Sequence, residues 1–357
     1  MAYLKMQLVA NCVFCFFFLI VCERIAAQET SSSLFDDPQK ITQWIRENKV
    51  PALGIGVIKD GKLREVRVFG DLKKDNPAPY NTIFNVASLT KPVISMLTLK
   101  LVSRGQWQLD EPLDKYWIDP DVKNDPRHKK LTTRHVLSHQ TGFVNWRWLH
   151  KSGKLTFDYE PGTHFGYSGE GFEYLRKALE RKFNKPIEQL TDSIIFSPLG
   201  MTDTQHAWDK RTDESRFAMW HDTSGIKTYE NFKTTSVNAA DDLLTTIEDY
   251  GKFSVDVLQG AGLSRDLYKE MISSQVPTNK GVYMGLGWEV FPAVGPRKEP
   301  VITHSGSDQG VKTLVILLPV LKAGLIIMTN GDNGYKLYEK IIVSFLDVGK
   351  EMMEKAN

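Results

Sequence analysis

Apolar residues fall at helical spacing between Asp36 and Lys49, where Ile41, Trp44 and Ile45 share one face and Asp37-Pro38 offers a start. Pro51 ends that helix. Two β-rich runs follow, over 52–58 and 63–69, on either side of Lys59-Asp60-Gly61-Lys62. Asp-Gly between apolar runs is the strongest short-range hairpin signal. From Ser88 to Arg104 the helical period returns, with Val93, Ile94, Leu97, Leu101 and Val102 as its apolar stripe and Gly105 closing it. The stretch to about residue 250 is loop-rich, with short helices predicted over 133–138, 171–183, 187–196 and 245–258. Strands are predicted again over 287–294, 301–304, 311–318 and 324–329, and a turn-rich run from Asn330 to Gly334 precedes a last helix over 335–345. No repeat with a period of about 20 to 50 residues is present. Strands at both ends with helices between them predict an α+β fold. An antiparallel sheet domain, residues 34–90 and 250–350, is flanked by N- and C-terminal helices, and a mostly helical domain, 91–249, is inserted with the active site at the interface.

Composition narrows the function classes. The chain of 357 residues is 41% hydrophobic and 25% charged, close to globular averages, which excludes disordered and fibrous classes. Its 45 Lys+Arg balance 43 Asp+Glu to a net charge of +2, and no basic tail or stripe offers a nucleic-acid footprint. All three cysteines, Cys12, Cys15 and Cys22, lie near the N-terminus, so a disulfide framework, a zinc-thiolate site and a cysteine nucleophile in the body are excluded. The first 27 residues read as a signal peptide: Lys5, an apolar stretch from Leu8 to Val21 broken only by Asn11, then Ala26-Ala27 before a polar run. That stretch is short for a membrane span. The expected location is therefore outside the cytoplasm, periplasmic or secreted. Two other leader readings stay open: a lipoprotein box at Cys22, and an uncleaved anchor. Only they would bring the chain to a membrane.

The chemistry begins at Ser88-Leu89-Thr90-Lys91. Residues three apart at a helix start share a face, so the amine can reach the hydroxyl. A serine is a poor nucleophile until a base takes its proton, and a desolvated lysine near other cations can be that base. A second match, Ser224 to Lys227, sits in a polar turn-rich stretch and is set aside. Tyr167 follows a turn and precedes a helix; it can serve as a base only where cations lower its pKa. Thr303-His304-Ser305-Gly306-Ser307 stands at the end of one β-run before the next. Its glycine would let a substrate backbone lie close, and the N–H that follows can point into a site. Trp146 and Trp148 flank Arg147 and could wall a cleft or simply pack. His135 and His139, four apart, lack a third ligand, and no metal or cofactor is expected. Asp241-Asp242 reads as the cap of the helix that follows, and Glu170 as a carboxylate at a helix N-terminus.

Taken together, the three elements resemble those of the β-lactamase, penicillin-binding-protein and class C esterase (CubicO-like) superfamily of serine hydrolases. That family carries Ser-x-x-Lys, Tyr-x-Asn and [Lys/His]-[Thr/Ser]-Gly in this order. Leu137 to Gly142, Pro198-Leu199-Gly200-Met201, Leu109-Asp110-Glu111-Pro112 and Gly285-Leu286-Gly287-Trp288 resemble further family phrases, so the likeness covers about residues 38–345. It implies that Ser88 attacks a carbonyl and is acylated, that Lys91 and Tyr167 move its proton to the leaving group, and that His304 hydrogen-bonds Tyr167. It also implies an oxyanion hole from the backbone N–H groups of Ser88 and Ser307, with Gly169, Ser305, Gly306 and Trp146 toward substrate. Two departures matter. Gly169 stands where the family has Asn, and His304, only partly charged near neutrality, stands where β-lactamases mostly carry Lys.

These departures weaken recognition of β-lactams or peptides more than acyl transfer itself. The expected activity is hydrolysis of a small-molecule or peptide ester or amide, esterase-like, through an acyl-enzyme. The alternative is a penicillin-binding sensor or a cell-wall module of the D-Ala-D-Ala carboxypeptidase or D-aminopeptidase type.

Overall fold

The Asp-Gly turn forms where the pattern places it. Asp60 and Gly61 both take positive φ (53° and 67°), the backbone that suits the twist of a two-residue hairpin, and join strands β1 (Ala52–Lys59) and β2 (Lys62–Lys73). The computed structural model describes residues 34–230, 233–279 and 281–356, so the expected signal peptide, residues 1–27, and all three cysteines lie outside the described residues. Contacts divide the chain into two units, Met1–Pro38 and Gln39–Asn357. Of the first, the described part is a single 3-10 turn at Leu34–Asp36 and the first residue of helix α1 (Pro38–Glu47). The second unit holds the sheet and the candidate site.

After β2 come β3 (Asn76–Pro77), β4 (Phe84–Asn85), helix α2 (Thr90–Ser103) and the short α3 (Thr133–Leu137). The middle of the chain adds α4 (Gly169–Phe183) and α5 (Ile187–Thr191), the latter running into a π turn at Asp192–Phe196. Then follow β5 (Leu244–Thr245), α6 (Ile247–Leu258), α7 (Arg265–Met271), β6 (Val276–Asn279), β7 (Val282–Met284), β8 (Glu289–Val294), β9 (Glu299–Asp308), β10 (Val311–Leu318) and β11 (Ala323–Thr329). Helices α8 (Tyr338–Phe345) and α9 (Gly349–Ala356) end the chain.

Nine strands form one antiparallel sheet in the order β3-β2-β1-β11-β10-β9-β8-β7-β6. Strands from the N-terminal and C-terminal parts of the chain meet inside it, where Leu53 pairs with Thr329 and Ile58 with Gly324. Helix α6 packs on β1, β2 and β11. Strand β1 is thus covered from Ala52 to Ile58, which explains a continuous apolar run in place of alternation. A separate two-stranded ladder, β4 with β5, ties the segment before Ser88 to the segment before α6.

Helix α2 departs from its pattern. An apolar stripe predicts one buried face, yet residues 90–99 are all buried, including Thr90, Lys91, Ser95 and Thr98. The helix runs through the core, and its polar residues turn to local acceptors: the Thr98 hydroxyl donates to the Ile94 carbonyl at 2.8 Å. Strand β9 also exceeds its prediction. It runs on through Ser305, Gly306 and Ser307 to Asp308, paired throughout with β10, so the third motif lies inside a strand.

Candidate active site

Ser88 stands in a 3-10 turn, Ala87–Leu89, directly before α2. Its neighbour Ala87 is held at φ 48°, a left-handed backbone that costs a non-glycine residue on the order of 1–3 kcal/mol and survives only under heavy constraint. The constraints are visible. The Ala87 N–H donates to Asn85 Oδ1 at 2.7 Å, the Val86 N–H to the Leu243 carbonyl at 3.0 Å, and the Thr313 hydroxyl to the Val86 carbonyl at 2.9 Å. Strand β9 closes on the same turn. A Cβ on Gly306 would collide with the Val86 carbonyl and the Thr313 hydroxyl and lie 3.2 Å from the Ser88 nitrogen. Glycine at 306 therefore serves the close approach of β9 to the nucleophile turn.

One helical turn on, Lys91 is 1% exposed, and its Nζ donates to Ser88 Oγ at 2.9 Å and to the Ala240 carbonyl at 2.7 Å. The amine lies under two aromatic faces, 4.7 Å from the ring centre of Tyr167 and 5.9 Å from that of Phe172. Serine and lysine thus meet, as the spacing at a helix start predicts, and the Tyr167 ring lies over the same amine.

Beneath Tyr167 is a residue for which the sequence pattern offers only an incomplete metal pair. His139 stacks on it at 4.2 Å between ring centres and 28° between planes. It is fully buried, sits at φ 53° and accepts the Ser168 N–H on Nδ1 at 3.1 Å. Burial, with Lys91 and His304 nearby, holds its pKa well below the histidine range, so the ring is neutral. The Leu137–Gly142 phrase drew attention to this segment without showing that its histidine supports Tyr167.

His304 requires two corrections. No hydrogen bond joins it to Tyr167 among the described residues: the ring centres are 6.3 Å apart, and its Nδ1 lies 2.8 Å from the Ser305 carbonyl. A carbonyl only accepts, so Nδ1 carries the proton and Nε2 is left free of one. Nor is it partly charged near neutrality; burial and the Lys91 charge push its pKa down to about 3. Along β9, Ser305 and Ser307 are exposed while His304 and Gly306 are buried, the alternation of a strand with one face on the nucleophile turn.

Asp241 and Asp242 do not cap α6. Thr246 does, accepting the Asp249 N–H at 3.2 Å. The two aspartates instead form a carboxyl cluster with Asp308, their oxygens within 4.8 Å of one another, so that each negative charge disfavours the next. Asp242 takes φ 68° and accepts from the Asn85 side chain at 3.0 Å, linking the cluster to the Ser88 turn. Burial and the neighbouring carboxylate raise Asp241 to about 7, burial and Asp241 raise Asp242 to about 6, and burial raises Asp308.

Around Gly169 the backbone is tied to the segment 145–147. Asn145 Oδ1 accepts the Gly169 N–H at 2.8 Å, the Asn145 carbonyl the Glu170 N–H at 3.0 Å, and Glu170 Oε1 the Arg147 N–H at 2.9 Å. Glu170 is a buried partner of the Arg147 guanidinium, at 2.8 Å, which is more than a helix-end carboxylate. Trp146 stacks on Trp148 at 4.8 Å and 9°. His135 caps α3 through Nδ1, so the paired histidines hold structure. Ser224 bonds Asp222 within its own exposed turn, and the second Ser-x-x-Lys is a turn.

The family model described as Beta-lactamase matches residues 34–342. The chain belongs to that family. Members similar to it span several activities. The D-alanyl-D-alanine-carboxypeptidase/endopeptidase AmpH of Escherichia coli is 24% identical, covering 76% of this chain and 77% of that protein. Esterase EstB of Burkholderia gladioli is 24% identical over 50% of this chain and 53% of that protein, and an Escherichia coli Beta-lactamase 23% over 87% and 88%. Among solved structures, the D-amino acid amidase of Ochrobactrum anthropi superposes with TM-score 0.70 at 20% identity, over 84% of this chain and 91% of that one. The octameric penicillin-binding protein homologue of Pyrococcus abyssi gives 0.69 at 21%, over 86% and 77%. Their fold is the β-lactamase/transpeptidase-like arrangement of antiparallel sheet and helices, and this chain shares it. As a Beta-lactamase-family member the protein is a hydrolase.

Proposed function

We propose that this protein is an exported serine hydrolase that opens an ester or amide bond through an acyl-enzyme on Ser88. The observation that carries the reading is the 2.9 Å hydrogen bond between Lys91 Nζ and Ser88 Oγ in a pocket that excludes water from the amine. Ser88 Oγ attacks the carbonyl carbon and its proton leaves to the Lys91–Tyr167 pair. That pair returns the proton to the departing alkoxide or amine, and a water molecule repeats the sequence on the acyl-enzyme. The backbone N–H groups of Ser88 and Ser307 are the proposed donors to the oxyanion.

Ester-like substrates suit the site better than β-lactams or peptides. A neutral His304 supplies no cation for a substrate carboxylate, and Gly169 supplies no carboxamide for an acylamino group. Export rests on the leader pattern of residues 1–27 alone.

The test is fluorophosphonate labelling of the purified protein, followed by a turnover panel of a chromogenic cephalosporin, short-chain p-nitrophenyl esters and D-alanyl peptides. Ser88→Ala is expected to abolish labelling, and short esters to turn over faster than the cephalosporin. Labelling that persists in Ser88→Ala overturns the nucleophile assignment. A single acylation per chain without steady turnover favours the penicillin-binding sensor, and rapid cephalosporin hydrolysis removes the weight given to Gly169 and His304.

A further inference from the structure

The Lys91 amine, the Thr90 hydroxyl and the Val86 N–H all end on one stretch of chain, residues 240–243. The Ala240 carbonyl accepts from Lys91 Nζ at 2.7 Å, the Leu243 N–H donates to the Thr90 hydroxyl at 3.1 Å, and the Leu243 carbonyl accepts the Val86 N–H at 3.0 Å. Asp242 accepts from the Asn85 side chain, whose Oδ1 in turn holds the Ala87 N–H. Residues 240–243 therefore form a strap across the Ser88 turn and its lysine. Asp241 gives the strap a further anchor, because its carboxyl meets that of Asp308, the last residue of β9. This is the strand whose Gly306 presses on the Ser88 turn. Asp308 itself is fixed: it pairs with Val311, and its carbonyl accepts Lys312 Nζ at 2.6 Å while the Lys312 charge also faces Asp332 at 3.6 Å.

Whether Asp241 and Asp308 hold together depends on one proton. Two ionised carboxylates only accept, and they repel; with one proton between them, Asp241 donates to Asp308. Burial first and the Asp308 charge second raise Asp241 to about 7, and burial raises Asp308. Asp242 favours keeping the proton, whereas Lys91 and Lys312 favour its loss. Against the far side of Lys91 lie Tyr167 and two neutral imidazoles, His139 and His304.

We propose that Asp241 and Asp308 are positioning residues that form a pH-sensitive clamp: sharing one proton they tie the strap to β9, and on losing it to solvent they repel and slacken the strap's hold on Lys91 and the Ser88 turn. The inference rests on the serine-hydrolase reading above and adds a regulation of that site, a loss of activity as pH rises through neutrality.

The experiment follows kcat/KM for a short-chain p-nitrophenyl ester from about pH 5.5 to 8, below every thermal midpoint, in wild type, Asp241→Asn, Asp308→Asn and Asp241→Ala. An amide in Asp241→Asn donates to Asp308 at any pH. Its kcat/KM relative to wild type should therefore grow with pH, by about tenfold at one unit above the Asp241 titration. Asp308→Asn exchanges donor and acceptor and should show the same growth, which keeps the test open where one variant folds poorly. Asp241→Ala has no donor and should stay below Asp241→Asn at every pH. A merely structural role would move thermal midpoints without bending these ratios. The proton itself is read as a protonated-carboxyl infrared band in wild type at pH 6 that weakens in Asp241→Asn. Ratios flat with pH in both amide variants, or no such band, overturn the clamp and leave the serine-hydrolase reading standing. Absence of fluorophosphonate labelling in wild type overturns that reading instead, and the infrared band then still reports on the pair.

Discussion

At Ser88 the decisive number is a hydrogen-bond length. A lysine amine 2.9 Å from a serine hydroxyl, with its other proton on a backbone carbonyl, is fixed in direction before any substrate arrives. Lys91→Met keeps most of the volume in the buried channel and removes only the amine. Its expected outcome is a loss of at least about 10³-fold in ester kcat/KM, in the range set by removing a general base or its activated nucleophile, with a thermal midpoint near that of wild type. Retained activity would mean that another group takes the Ser88 proton. His139 acts one step further out, through Tyr167. In His139→Leu both the stacking face and the acceptor for the Ser168 N–H disappear, so kcat should fall about tenfold or more while KM moves little, and the pH profile of kcat should shift. A KM rise at constant kcat would assign His139 to substrate binding.

The contrast between Ser88–Lys91 and His139 shows what the sequence makes legible. Ser88 and Lys91 touch because helical spacing requires it, and that can be read from four residues. Tyr167 and His304 stood in the sequence as candidates, and their roles came only by resemblance. His139 under Tyr167 and Asp308 against Asp241 join positions that no local spacing relates.

At the scale of elements, the site is made where β9 presses on the turn between β4 and α2. The sequence predicts strands on both sides of the third motif and misses that the strand runs through it. A Ser-Gly-Ser stretch lowers the apparent β-propensity that pairing with β10 then overrides. The sheet itself was readable from the Asp-Gly hairpin and the C-terminal runs. The all-round burial of α2 was not, because Thr, Ser and Lys at its buried positions mimic a solvated face. The approach of β9 makes Gly306 a sensitive point. Gly306→Ala would drive a methyl into the Val86 carbonyl and the Thr313 hydroxyl. Overpacking of this kind costs about 1–3 kcal/mol, and here the strain falls on the turn that aims Ser88. The expected result is a lowered denaturant midpoint together with a loss of activity larger than the loss of folded protein. Gly306→Ala with wild-type activity would separate β9 from the nucleophile turn.

Across the whole molecule, two sets of buried titratable groups pull stability in opposite directions with pH. His304, at about 3 when folded, and His206, at about 4, are held neutral by burial, against about 6.5 in an unfolded chain. Between those values the unfolded state binds more protons, so this set contributes stability that is complete above pH 6.5 and is lost as pH falls. The Asp241, Asp242 and Asp308 carboxyls behave inversely. Their folded values are raised, to about 7 for Asp241 and about 6 for Asp242, so between pH 4 and 7 the folded state holds the extra protons. Stability from this cluster is greatest in acid and is lost as pH rises through 7. Lys91 and Lys312 are the cations facing the cluster, and both favour its ionised form, which sets the upper end of that loss. Asp241→Asn removes the carboxyl that must ionise and leaves an amide able to donate to Asp308. Its thermal midpoint should therefore gain on wild type as pH goes from 5 to 8, the gain being smallest at pH 5. His304→Gln should show the opposite trend, gaining on wild type as pH goes from 6.5 down to 4. Calorimetric scans of the three proteins across pH 4 to 8 read both slopes in one experiment. An Asp241→Asn difference that does not grow with pH would show that the cluster is already ionised in the folded protein near pH 5, held by Lys91 and Lys312 as a charged group without a shared proton.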